Sequence, residues 1–163
     1  MKINARKLTT LAVFAAAMIA LQVAMSPLPN IEPVTLLIIL CTVLLGPQVF
    51  LAIAVFVLAE GLIYGFGLWW FGYLYVWALL AGAVLLLRRY SHPLLWALTA
   101  GIFGLLFGTL CSPITFFTGG WAAGLAWIVN GLPYDLMHGV SNLILTLVLY
   151  YPLEKALKKI LKV

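Results

Sequence analysis

Asp135, His138 and Asn142 stand at i, i+3 and i+7 in a largely apolar stretch, so on a helix they share one face. A carboxyl, an imidazole and an amide in that register can bind a small polar solute, relay a proton, or hydrogen-bond a neighbouring helix. Glu60 is a second isolated carboxyl, near the end of another apolar run, and Asn30 and Glu32 fall in a short polar turn. Polar groups at membrane depth are costly and usually face protein or a water-filled cavity. For Glu60 and the Asp135–His138–Asn142 face, a binding site and interhelical glue are therefore both open readings. Glu32 precedes a helix start, where a carboxylate also serves as a cap.

Aromatic residues concentrate near these groups. Trp69, Trp70, Tyr73, Tyr75 and Trp77 follow one turn, and Trp121, Trp127 and Tyr134 precede or join the Asp135 face. Such residues form belts at a membrane–water interface. They equally form the walls of a small-molecule pocket with a few placed polar groups. The segments holding Glu32, Glu60 and Asp135 carry no Lys or Arg, so an anionic solute finds no cationic partner there. A neutral or cationic solute, or a zwitterion with a shielded anion, fits better.

Other chemistries lack their residues. There is no GxxxxGK[ST] phosphate loop, HExxH or GxSxG, and His138 has no second histidine at metal spacing. Cys41 and Cys111 lie in apolar segments without a CxxC or Cys/His pattern and read as small buried hydrophobes. No catalytic constellation emerges, no cofactor or metal is called for, and an enzyme is not expected.

The elements that must position these groups are membrane helices. The 163-residue chain is 66% hydrophobic and 8% charged, against about 45–50% apolar and about a quarter charged for soluble domains. Apolar runs suited to spans cover about 8–25, 33–45, 49–64, 69–87, 93–111 and 133–153, separated by Pro, Gly or Arg-Arg breaks. The second is short, which suits a tilted or deeply set helix. The segment between Cys111 and Pro133 is too apolar for an ordinary loop and is expected to pack back on the bundle. The first run is followed by Ser26-Pro27-Leu28-Pro29 rather than a small-x-small cleavage site, so it reads as a span.

Charge supplies the topology. Lys2, Arg6 and Lys7, then Arg88 and Arg89, then Lys155, Lys158, Lys159 and Lys162 each flank an apolar run. With six crossings and both ends inside, all of them fall on the cytoplasmic side, as the positive-inside rule requires. They set orientation and contact anionic headgroups, rather than nucleic acid. The expected fold is an all-α integral membrane protein, a single compact bundle of six transmembrane helices with cytoplasmic N- and C-termini. On the first helix, Ala12, Ala16, Ala20 and Ala24 recur every four residues, a small-residue face that lets another helix approach closely.

These features resemble the substrate-binding S component of an energy-coupling factor (ECF) vitamin transporter. The resemblance spans essentially the whole chain. It rests on the alanine register, on Leu28-Pro29-Asn30-Ile31-Glu32-Pro33-Val34-Thr35, on Tyr64-Gly65-Phe66-Gly67-Leu68-Trp69-Trp70 and on Gly131-Leu132-Pro133-Tyr134-Asp135-Leu136-Met137-His138. It implies a multi-pass protein of a prokaryotic plasma membrane that captures a vitamin-like solute from outside. Its partners would be a transmembrane T component, docked on Ala12, Ala16, Ala20 and Ala24, and two cytoplasmic ATPases that consume the ATP.

The implied solute site comprises Asn30, Glu32, Glu60, Trp69, Trp70, Tyr73, Tyr134, Asp135, His138 and Asn142. Among S components the chain most resembles those assigned to cobalamin, with a pyrimidine or deazapurine precursor next. Two other readings stand beside this one: a self-contained secondary transporter with Glu60 or Asp135–His138 relaying protons, and a structural subunit without a ligand. The absence of inverted repeats counts against the former.

Overall fold

The computed structural model describes residues 4–90 and 92–161; Lys2 and Lys162, two of the basic residues counted above, lie outside them. The described chain folds into α1 (Ala5–Met25), α2 (Val34–Leu45), a 3-10 turn (Gly46–Gln48), α3 (Val49–Tyr64), α4 (Leu68–Leu87), α5 (Pro93–Cys111) and α6 (Pro113–Leu161). Five helical stretches are long and apolar enough to cross a membrane: Ala5–Met25, Val34–Tyr64, Leu68–Leu87, Pro93–Cys111 and Pro113–Leu161. The protein is an all-helical, multi-pass membrane type.

Local sequence explains where the helices begin and end. Asn4 caps α1 by accepting from the Lys7 amide at 2.9 Å. His92 and Pro93 open α5, where the missing proline donor costs nothing. Glycines end α2 and α3: Gly46 (φ 67°) and Gly65 (φ 86°) both adopt the left-handed backbone that other residues resist. The Gly46 break reverses the chain. Along one unbroken helix Glu32 and Glu60 would stand about 42 Å apart, yet both line a single cavity.

Helix α2 is only 12 residues long, about 18 Å against a hydrocarbon core of about 30 Å. It occupies the centre of the bundle, touching α1, α3, α4, α5 and α6. Val34, Ile38, Ile39, Leu40 and Cys41 are fully buried, which is how so short a helix is accommodated. By contrast α3 is apolar on both faces. Phe56 and Glu60 point inward, whereas Leu51, Val55, Leu58 and Leu62 are 45–70% exposed along the outer face, the surface a lipid environment requires.

The two ends of the bundle differ in charge. At one end the Arg6 guanidinium donates to the Ile160 carbonyl at 3.1 Å, Lys158 pairs with Glu154 at 3.0 Å, and the Arg88 guanidinium lies over Gly46. The described N- and C-terminal residues therefore share the basic end. Glu32, Glu60 and Asp135 gather toward the opposite end.

Helix α6 departs most from expectation. The stretch after Cys111 turns back at Gly120 and meets α5 through Trp127, as expected of a segment that packs on the bundle, but it is helical and the last long helix does not start near Pro133. Gly120 (φ 76°, ψ −174°) divides α6 into a short arm, 113–119, and a long arm, 121–161, with Pro133 and Pro152 both inside the helix. The two arms continue the antiparallel α5–α6 pair, with Phe116 packed on Gly124. Glycine at 120 supplies the turn. Pro133 has a φ that suits a helix and loses one donor, a defect that membrane helices tolerate.

Candidate functional site

A cavity of about 280 Å³ lies at the acidic end, between the 26–32 turn, the ends of α1, α3 and α5, and the inner faces of α4 and α6 at Trp77 and His138. Leu28 and Tyr64, each about half exposed, stand at its rim. Glu32, Glu60, Trp77 and His138, all under 8% exposed, line its interior. Tyr73 meets Trp77 edge-to-face at 5.4 Å between ring centroids and Phe107 at 6.2 Å, while Trp69 meets Tyr73 at 5.1 Å. Such mutually braced rings make a rigid aromatic wall.

Glu32 is the hub of the polar side. Its Oε2 accepts from the Thr35 amide at 2.9 Å, capping α2, and its Oε1 accepts from the Thr35 hydroxyl. The same Oε1 lies 3.0 Å from Nε2 of His138 and accepts from Nδ2 of Asn142 at 3.3 Å. With Glu32 acting as acceptor, Nε2 of His138 is assigned the hydrogen and Nδ1 is left free. Capping and site roles thus coincide in one carboxyl.

The turn that carries Glu32 is itself tied down. Asn30 adopts φ 58°, a left-handed conformation that asparagine tolerates better than most residues. Its carbonyl accepts from the Ser141 hydroxyl at 3.0 Å. Helix α6 therefore holds the turn through Ser141 and the Glu32 carboxyl through His138 and Asn142.

Four cavity-lining residues carry a buried polar atom without a partner: Gln22 (Oε1), Glu60 (Oε1), Trp77 (Nε1) and His138 (Nδ1). Buried polar atoms are nearly always paired, because an orphan costs about 1–3 kcal/mol. Four such atoms belong to residues around this one cavity, and three others, on Gln48, Trp96 and Thr146, lie away from it. Among the described residues no group of three or more His, Cys, Asp or Glu side chains is placed to hold a metal ion.

The structure divides the residues proposed from sequence. Asn30, Glu32, Glu60, Trp69, Tyr73 and His138 line the cavity. Asn142 stands behind it, bridging Glu32 and Thr35. Trp70 points elsewhere, donating to the Val57 carbonyl at 2.8 Å and stacking edge-on with Phe66. Tyr134 and Asp135 line an adjoining cleft of about 640 Å³ beside α5, which shares Pro29, Asn30 and Phe107 with the cavity. There Asp135 accepts from the Gly108 amide at 2.9 Å, and Trp127 donates to the Gly108 carbonyl at 3.0 Å. Ala12, Ala16, Ala20 and Ala24 all lie on the exposed face of α1.

Sequence reasoning missed Gln22 and Phe107 as site residues and counted Trp77 only among the aromatics. It also missed the seam that places His138. Gly101, Gly104 and Gly108 line one face of α5 and press against α6. A Cβ at Gly104 would meet the backbone of His138 and Gly139 at 2.7–2.8 Å. Spacings of three and four residues between glycines in an apolar helix were a readable signal of close helix approach.

Comparison with protein-family models, with characterised proteins and with solved structures finds no significant match to this chain.

Proposed function

We propose that this chain is the membrane-embedded solute-binding subunit of an ATP-driven importer of the ECF type. It crosses a prokaryotic plasma membrane six times, with its termini and basic end in the cytoplasm and the cavity facing outward. The observation that carries this reading is the aromatic-walled cavity at the acidic end with its four unpartnered polar atoms. The basic residues at the opposite end support the orientation.

The chain carries no ATP-binding phosphate loop, so energy would come from two ATPases acting through a T component. The exposed Ala12–Ala16–Ala20–Ala24 face of α1 is the proposed docking surface for that component. Small residues there admit close approach of a partner helix.

Cavity size bears on the solute. Pockets for drug-sized ligands span about 300–1,000 Å³, and this one holds about 280 Å³. A one- or two-ring heterocycle, such as a pyrimidine or deazapurine precursor, fits that volume. A corrinoid such as cobalamin would have to extend into the adjoining cleft of about 640 Å³, so the cavity by itself favours the smaller solute.

The test is uptake of labelled vitamins and heterocycles into ATP-loaded proteoliposomes containing the full chain, with and without ECF partners. Partner- and ATP-dependent uptake is the expected result. Glu60, buried and unpartnered in an apolar helix, supports one competing reading, a proton-coupled carrier. Uptake by the chain alone under a pH gradient would establish that reading instead.

A further inference from the structure

The polar atoms of the cavity are unequal in what they can offer. Glu32 has already committed both carboxyl oxygens to Thr35, His138 and Asn142. Glu60 is 2% exposed and its Oε1 has no partner. Gln22 adds a second free acceptor and the Trp77 indole a free donor. Neither Lys nor Arg lines the cavity. The free carboxyl, set against an aromatic wall with no cation nearby, is complementary to a planar group that brings hydrogens.

From this arrangement, and resting on the solute-binding reading above, we propose that the cavity takes a small planar heterocycle with an amidine-like edge, a ring nitrogen beside an exocyclic amino group, and that Glu60 receives that edge. A carboxyl and an aminated ring share one proton across two parallel hydrogen bonds, whichever partner holds it. An oxo heterocycle has no basic nitrogen at that edge, so against the ionised carboxylate its carbonyl oxygen faces another oxygen unpaired, whereas a neutral carboxyl would pair with it equally well; the comparison is therefore made at alkaline pH, where Glu60 is ionised. Gln22 accepts a further N–H and Trp77 donates to a second ring acceptor. Trp69, Tyr73 and Phe107 wall the cavity beside the ring, where aromatic contact is tolerant of ring identity. Carboxylated or phosphorylated solutes are disfavoured by Glu32 and Glu60 together.

The experiment measures binding to the purified full chain in lipid nanodiscs by isothermal titration calorimetry, which needs no tryptophan reporter. Probes are matched pairs, cytosine against uracil and adenine against hypoxanthine, with benzoate as the anion. Each amino member is expected to bind about tenfold or more tightly than its oxo partner, a difference of about 1.4 kcal/mol. Glu60→Gln should erase that preference. Trp77→Phe, which removes the donor together with one ring of the aromatic wall, should weaken all ring ligands while the preference persists, so the proposal stays testable if Glu60→Gln does not fold.

Equal or tighter binding of uracil, hypoxanthine or benzoate would overturn the amidine-edge assignment and leave the solute-binding reading standing. Absence of binding by every probe would also overturn it. The partner-dependent uptake assay with a broad vitamin panel then decides the wider reading separately.

Discussion

Nε2 of His138 lies 3.0 Å from Oε1 of Glu32, although 106 residues separate them in the chain. The contact joins the cap of the central helix α2 to the polar face of α6 and defines one side of the cavity. Hydrogen bonds to charged groups contribute about 1.5–3 kcal/mol. Glu32→Gln and His138→Ala are each expected to weaken solute binding by about tenfold or more. The double variant should be little worse than the poorer single one, because the two act as a unit. Dissociation constants for the four proteins check this, and additive losses would show that the residues act independently.

Asn142 belongs to the same hub without lining the cavity. Asn142→Ala is expected to lower thermal stability more than Asn142→Asp lowers it through charge repulsion at Glu32 only if packing, not hydrogen bonding, dominates. The geometry at Glu32 and Thr35 predicts the opposite order, with the Asp variant worse. Thermal unfolding of both variants in detergent distinguishes the two.

Trp70 and Trp77 offer a contrast within one helix. Trp70 holds α4 to α3 through the Val57 carbonyl, and hydrogen bonds between membrane helices contribute about 0.6 kcal/mol on average. Trp70→Phe should therefore cost a small amount of stability and leave solute affinity unchanged. Trp77→Phe removes an unpartnered indole donor from the cavity and also a ring packed against Phe56, Phe103 and Phe107, so it should weaken binding and lower stability together. Paired unfolding and binding titrations test both statements.

Gly104 sets the distance between α5 and α6. A Cβ there would approach backbone atoms of residues 138 and 139 at 2.7–2.8 Å, and backbone cannot step aside as a flexible side chain can. Gly104→Ala should lower stability by about 1–3 kcal/mol, the usual range for overpacking, and displace His138 from Glu32. Gly82, whose Cβ position meets nothing within 4 Å, should accept alanine freely. Unfolding of the two variants side by side checks the comparison.

Ala16 sits on the exposed face of α1, so a large side chain there meets no neighbour inside the bundle. Ala16→Trp is expected to fold and bind solute as the parent does, yet to abolish partner-dependent uptake. Retained uptake in the complete transporter would remove the docking role from this face.

Much of the architecture was legible in the linear chain. Apolar runs, their Gly and Pro breaks and the flanking Lys and Arg residues are local signals, and five of the six expected spans correspond to α1 through α5 almost residue for residue. The sixth was misplaced at its start because a proline in a membrane helix is an ambiguous signal. Only the surrounding packing determines whether it ends the helix, and here Gly120 makes the turn while Pro133 is absorbed. The identity of the polar site was likewise half visible. Isolated acids and amides in apolar helices announce that they need partners, because lipid offers none. Which partners they take depends on how helices rotate and cross. Asp135 and His138 share a helix face, yet packing sends Asp135 to the Gly108 amide and His138 to Glu32. Trp69 and Trp70 are adjacent, and a rotation of about 100° per residue turns one to the cavity and the other to α3. The chain alone determined that polar groups would be buried in a helical membrane protein; tertiary packing decided which of them were satisfied and which were left without a partner.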